Sequence, residues 1–347
     1  MRNPYQRLRQ RRARRKYMPR PPRGRRTTVG AAIVAVAILL TAAIWLEMRG
    51  ARRFAVLLDA APTGSDPVEA LSAAGRARRL LFISDIPGSA APDRLAGAVL
   101  ERMVDGVGLD ALVVGVGDDQ QVWIDQYLRS DPEDASALVA HPASMGGAGS
   151  PLLELYRVVW RVNRKVGAAR SVRIIAADIP ASSRSHSLSP SQVVARSVER
   201  DAHMERIVDE RIFAREPRAR VMFLLDGLHT LRVPFVLRTA GATPVEVQPL
   251  AVRLSRREPR EVWTVLVDAA PAGNVTAEIA AYSGTGAREV LRRGPGQQRS
   301  FELRAVESFG QASDWITVAT RPGASVTLVP SSVLLSATVD AYVYLQN

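Results

Sequence analysis

Apolar residues gather in short unbroken runs, and the stretches between them repeat at helical spacing. Leu80-Leu81-Phe82-Ile83, Ala111-Leu112-Val113-Val114, Val172-Arg173-Ile174-Ile175-Ala176-Ala177 and Arg220-Val221-Met222-Phe223-Leu224-Leu225 read as buried strands. Pro92 to Val104, Gln121 to Leu128, Leu152 to Val166 and Pro190 to Arg215 read as helices. Strands apolar on both faces, alternating with helices, belong to parallel sheets covered on both sides. The pattern therefore predicts an α/β fold, a largely parallel sheet with flanking helices. From about Val245 the texture changes. Val245 to Leu254, Glu261 to Val267, Val275 to Ala281, Phe301 to Val306, Trp315 to Thr320, Val326 to Val329 and Ala341 to Leu345 look like strands between turns. They make a β-rich C-terminal part, either an extension of the sheet or a small second layer.

The first 46 residues follow a different logic. Thr27 to Leu46 is an uncharged stretch of 20 residues, about 30 Å of helix, enough to cross a bilayer core. Eleven Arg and one Lys precede it between Arg2 and Arg26, without any acid. The excess of positive charge over Arg49, Arg52 and Arg53 on the far side places the N-terminus in the cytoplasm. A cleaved leader is the alternative, since Thr41-Ala42-Ala43 are small, but apolar Ile44-Trp45-Leu46 occupies the place of a polar cleavage region. The division expected is a basic disordered tail (1–26), a transmembrane anchor (27–48), a linker with a short helix (49–79), an α/β domain (80–254) and the β-rich part (255–347). The chain is then a single-pass inner or plasma membrane protein whose main domain is periplasmic or extracellular. The bilayer would hold residues 27–48, and anionic headgroups would hold the tail.

That tail also explains the net charge of +13. Residues 27–347 carry 35 basic and 34 acidic side chains, so the body is nearly neutral and offers no basic face for nucleic acid. The chain has no cysteine, which excludes disulfides, thiol catalysis and cysteine zinc sites.

Ligands of open parallel sheets bind beyond the carboxyl ends of the strands. Those ends carry Ser84 and Asp85, Asp118 and Asp119, Asp178, then Asp226 and His229. Single Asp residues there also serve as ordinary caps. Asp201 is more informative, because it interrupts the apolar face formed by Val194, Val198, Met204, Val208 and Ile212. An ionised carboxylate in that position needs a partner or a polar cleft; an ion pair with Arg200 or another Arg would satisfy it equally well. Among four histidines, His141 and His186 lie in loops and His203 faces off the apolar side of its helix. His229 alone is placed for acid/base work or ligation.

In order, three segments carry a resemblance. They are Trp160-Arg161-Val162-Asn163 before the strand closing in Asp178, Arg200-Asp201-Ala202-His203-Met204, and Val221 to Leu225 followed by Asp226-Gly227-Leu228-His229. Together they resemble the erythromycin esterase-like superfamily, which includes ChaN-type haem-binding proteins and Tiki-type metalloproteases. The resemblance spans roughly Leu80 to Leu254 and implies Asp178, Arg200, Asp201 and His229 as site residues. The family's first strand ends Gly-Glu-x-x-His-Gly, whereas Ile83-Ser84-Asp85-Ile86-Pro87-Gly88 stands here. Glu falls at Ser84 and His at Pro87, with Asp85 or Asp118 as stand-ins. The resemblance thus implies a catalytically degenerate binding or scaffolding module of the cell envelope, serving an envelope protein partner or small ligand. Alternatives are an active esterase or metal-dependent peptidase using His229 with Asp201 or Asp178, and a protein binding haem or a divalent metal through Tyr127, Tyr156 or His229.

Overall fold

The computed structural model describes residues 66–86, 89–146, 151–180, 190–239, 243–270, 299–302, 324–328 and 339–346. The basic tail, the apolar stretch 27–48, His186 and the strands expected at Val275–Ala281 and Trp315–Thr320 lie outside them. Among the described residues no helix is long and apolar enough to cross a membrane.

A seven-stranded sheet has the order β3-β2-β4-β1-β7-β10-β8. Its strands are β1 (Leu80–Asp85), β2 (Ala111–Gly117), β3 (Arg173–Asp178), β4 (Val221–Asp226), β7 (Val262–Ala270), β8 (Arg299–Glu302) and β10 (Ala341–Gln346). Every neighbouring pair is parallel except β10 with β8. β1 and β4 are in register from Leu80↔Val221 to Asp85↔Asp226, so two carboxylates meet at the carboxyl edge.

The helices are α1 (Pro67–Ala77), α2 (Ala91–Gly106), α3 (Gln121–Arg129), α4 (Ser136–Ala140), α5 (Leu152–Val166), α6 (Pro190–Val208) and α7 (Leu250–Arg257). Side chains of successive strand residues alternate between faces. Leu81, Ile83, Leu112, Val114, Met222 and Leu224 pack with Leu95, Val99 and Leu100 of α2 and Leu155 and Val159 of α5. Leu80, Phe82, Val113, Val221 and Phe223 pack with Met204, Ile207 and Val208 of α6 and Leu250 and Leu254 of α7. The Phe82 and Phe223 rings stack with centroids 4.1 Å apart. Each such side chain, fully buried, contributes about 1.5–3 kcal/mol, which is why the apolar runs become the central strands.

The strand expected over Val245–Leu254 is corrected. Val245–Val247 forms β6, and α7 starts at Leu250 after Pro249. Proline supplies no N–H to a strand but fits a helix start, and Leu250, Ala251, Val252 and Leu254 are buried. The expected helix to Arg215 stays α-helical to Val208 and then widens into a π turn over Asp209–Phe213. The β-rich part takes both forms considered. β7, β10 and β8 extend the sheet, while β9 (Ala324–Leu328) joins β5 (Phe235–Thr239) and β6 in a three-stranded antiparallel sheet.

Two polar side chains finish the outer strand. Asn163 of α5 donates to the Val172 carbonyl at 2.9 Å and accepts from the Val172 N–H at 2.7 Å, holding the start of β3. Gln121 of α3 donates to the Ile174 carbonyl at 2.7 Å and accepts from the Ala176 N–H at 2.9 Å.

Candidate functional site

β3 closes in Asp178, which is fully buried. Its Oδ1 accepts from the Ile179 N–H at 2.8 Å and from Arg200 Nε at 3.0 Å, and its Oδ2 accepts from Arg200 Nη2 at 2.7 Å. This is the bidentate fork that a guanidinium makes with a carboxylate. Burial works against the Arg200 charge; the Asp178 hydrogen bonds and charge outweigh it, with Asp226 and Asp201 adding to the effect. Arg200 is therefore held more firmly protonated than an ordinary arginine.

One residue along α6, Asp201 points elsewhere. Its Oδ1 accepts from His229 Nδ1 at 2.9 Å and from the Leu250 N–H at 2.7 Å. Asp201 is only 1% exposed and His229 6%. Helix starts leave their first N–H groups without intrahelical partners, so Asp201 secures the first turn of α7 while it holds the imidazole. His229 lies in a 3₁₀ turn over Gly227–Thr230, just past β4. Asp226 caps that turn by accepting from the Leu228 N–H at 3.2 Å. Burial opposes the imidazolium most and Arg200 adds to that; the Asp201 charge, the Asp201 hydrogen bond and Asp226 together outweigh them. The net direction is upward, so His229 holds its proton at a higher pH than a free imidazole. All four residues expected at the site (Asp178, Arg200, Asp201 and His229) thus form one charged group at the carboxyl edge.

The first strand contributes differently. Ser84, in the place of the family's Glu, is buried and its Oγ accepts from the Val267 N–H of β7 at 2.7 Å. The hydroxyl is committed to the sheet. Asp85 takes the forward position, its Oδ1 accepting from the Ile86 N–H at 2.7 Å. Burial raises its carboxyl to about 6, with the Ile86 hydrogen bond opposing and Asp226 adding. Asp93, the third residue of α2, is 2% exposed. Burial and then Asp85 raise it to about 7, against its own backbone N–H and Arg94. Asp93 had no signal of its own in the sequence, because an acid after Pro92 at a helix start looks like a cap.

Asp118 and Asp119 follow β2, whose last residue Gly117 pairs with Asp178. Asp118 lies 3.2 Å from His203 Nε2, and Asp119 accepts from Gln120 Nε2 at 2.9 Å. Asn163 lies at the opposite, amino edge, where it anchors β3. A depression lined by Val122, Gln126, Arg129, Ser130 and Asp134 runs along α3 and touches none of the site residues.

The two tyrosines expected as haem or metal donors are hydrogen-bonded to other groups. The Tyr127 hydroxyl donates to Glu133 at 2.9 Å and the Tyr156 hydroxyl to the Ser144 carbonyl at 2.9 Å. Burial, the largest cause for both, pushes these phenols up and away from the phenolate a metal prefers. Among the described residues no group of three or more His, Asp or Glu is arranged to hold a metal ion.

The sequence matches no protein-family model and no curated protein. The fold is similar to three solved structures. An erythromycin esterase mutant in its open conformation aligns at 12% identity and a TM-score of 0.51, over 80% of this chain and 92% of that one. A Bacillus cereus protein aligns at 10% identity and a TM-score of 0.56, over 85% and 97%. A succinoglycan biosynthesis protein aligns at 10% identity and a TM-score of 0.52, over 86% and 97%. These likenesses show an erythromycin esterase-like fold.

Proposed function

We propose that the chain is a membrane-anchored extracytoplasmic hydrolase acting on esters, with Asp85 as general base and His229, held by Asp201, as general acid. The anchor rests on the uncharged stretch 27–46 and the basic tail before it. The observation that carries the chemistry is the pairing of a carboxyl and an imidazole, both shifted upward, at the ends of neighbouring strands. Asp85 is raised to about 6, which leaves it ionised yet basic near neutrality, while His229 is biased toward imidazolium by Asp201. Catalysts work best when such values lie near the working pH. β1 packs against the 3₁₀ turn that bears His229, so both groups serve one edge.

Asp85 takes a proton from water as its oxygen adds to the ester carbonyl. The tetrahedral adduct then collapses, and His229 gives its proton to the departing alkoxide. Acid and alcohol leave, and transfer of the Asp85 proton to neutral His229 through solvent restores both groups. This reverses the simpler assignment of His229 as base, since the Asp201 carboxylate biases the imidazole toward its protonated form.

A second reading, a degenerate binding or scaffolding module for an envelope partner or small ligand, is favoured by Ser84. Its hydroxyl is spent on Val267, and proline stands at position 87 where the family has histidine. Ester panels on the purified full chain separate the two. Asp85→Asn and His229→Ala should each lower kcat/KM by about 10²–10⁴-fold. Wild-type protein without activity, or variants as active as wild type, would discard the hydrolase in favour of the module. Carbonate washing should leave the chain with the membrane; its release would remove the anchor.

A further inference from the structure

The near neutrality of the body conceals a segregation of charge. Every strand of the large sheet except β8 runs the same way, so the segments that enter β1, β2, β3, β4 and β7 all lie at its amino edge. These segments, 76–79, 105–110, 170–173, 215–220 and 256–261, hold eleven arginines and five acids. Hydrogen bonds join three of them into one surface. Arg79 Nη1 donates to the Pro217 carbonyl at 3.2 Å and to the Ala219 carbonyl at 3.3 Å. Arg78 donates to the Arg260 carbonyl, and Arg220 Nη1 to the Arg76 and Arg78 carbonyls at 3.2 and 3.1 Å.

The acids are already engaged within this edge. Glu258 and Glu261 pair with Arg79 at 3.3 and 3.6 Å, Glu216 with Arg173 at 3.1 Å, and Asp105 with Lys165 at 2.9 Å. Asp110 accepts from the Arg220 N–H at 2.6 Å. Arg76, Arg215, Arg218 and Arg260 are exposed, and among the described residues no acid pairs with them. The opposite edge has the other sign, since Asp85, Asp178 and Asp226 close their strands there and Asp118 and Asp119 follow β2. Unpaired charges of one sign gathered on a face repel one another, a cost that an anionic partner offsets.

We propose that the amino edge is a docking face for an anionic phospholipid surface. Guanidinium forks match phosphate oxygens two at a time, and each basic residue at such a surface raises the affinity about fivefold. The uncharged stretch proposed as anchor keeps a bilayer within reach, because the residues from 49 to 65 extend at most about 60 Å. The inference rests on that anchor and not on the hydrolase. Docked in this way, the edge that carries Asp85 and His229 turns away from the headgroups, so it meets esters dissolved in the surrounding water rather than those of the lipid itself.

Phenylglyoxal labelling of the full chain in nanodiscs, read residue by residue through peptide mass mapping, tests the face. In phosphatidylglycerol discs at about 0.05 M salt, Arg76, Arg218 and Arg260 should label at least about threefold more slowly than in phosphatidylcholine discs. Salt at about 1 M should erase the difference, because it cuts the reach of a charge to about 3 Å. Arg94, exposed at the start of α2 on the other edge, should label alike in both lipids. Replacing Arg215→Ser and Arg218→Ser together should weaken docking about 25-fold and remove the protection of Arg76 and Arg260. Both side chains are exposed, so thermal unfolding in detergent should stay unchanged. Equal labelling of the amino-edge arginines in the two lipids, equal slowing of Arg94, or full protection in the double variant overturns the docking face. Gel filtration at high salt keeps the anchor separate. A chain that elutes apart from the discs removes the anchor, and its labelling with discs present at low salt still decides the face. A chain that co-elutes with the discs yet labels equally in both lipids removes only the face.

Discussion

Replacing Asp201 by Asn tests the charged group most directly, since it keeps the shape and removes the charge. Asp201 is 1% exposed and accepts two hydrogen bonds on Oδ1, from His229 at 2.9 Å and from the first N–H of α7 at 2.7 Å. The Asn oxygen can keep the Leu250 bond. Its NH₂ offers nothing to an imidazolium, so the variant leaves a buried cation unpaired, at a cost of about 3–5 kcal/mol. His229 can escape that cost by losing its proton, which leaves the loss of roughly one hydrogen bond, about 1–2 kcal/mol. The sign follows from linkage. His229 has a folded value raised above its unfolded value, so its stabilisation is complete below the unfolded value of about 6.5 and is lost as pH rises through the folded value. The gap between wild type and Asp201→Asn should therefore be widest near pH 5.5 and narrow by pH 9. Thermal unfolding at both pH values measures it, at about 2–4 °C per kcal/mol for a domain of a few hundred residues. A gap equal at both pH values, or wider at pH 9, would refute the imidazolium pair.

Arg200→Met should cost about 3–5 kcal/mol at pH 7 in urea unfolding, because it strands the fully buried Asp178 carboxylate; an unchanged midpoint would show that the bidentate pair is not formed. Asn163→Ala should cost about 1–3 kcal/mol by the same measurement, through its two bonds to Val172, while specific activity per folded molecule stays level. Asp85→Asn should stabilise the chain above pH 6 and change little at pH 3.5. An acid raised from 3.8 to about 6 on folding makes the protein lose stability as pH climbs between those values, with a ceiling of about 3 kcal/mol; denaturant midpoints that move in parallel at both pH values would contradict it.

The central strands were readable because a strand buried on both faces has to be apolar at nearly every position, as Leu80 to Ile83 and Val221 to Leu225 are. α7 was not, because Val245-Glu246-Val247 alternates like a strand and its pattern runs on past Pro249, the residue that in fact ends it. For the site, the carboxyl ends of the strands led to Asp178 and His229, Asp201 stood out as a carboxylate on an apolar helix face, and the family resemblance added Arg200. Sequence reasoning had no means of finding Asp93. Burial and an unmet hydrogen-bonding need distinguish that residue from an ordinary helix-capping acid, and both arise only when α2 and α5 close over β1.

Gln121 has a consequence beyond its own bonds. Among the described residues β3 is the last strand of the large sheet on its side, and the Gln121 amide offers Ile174 and Ala176 the donor and acceptor that another strand would bring. An outer strand with unmet backbone groups is a template on which a second molecule can continue the sheet. A single flexible side chain therefore acts as the stopper that keeps this molecule from growing into its neighbour, and its loss would show first in crowded solutions, as self-association.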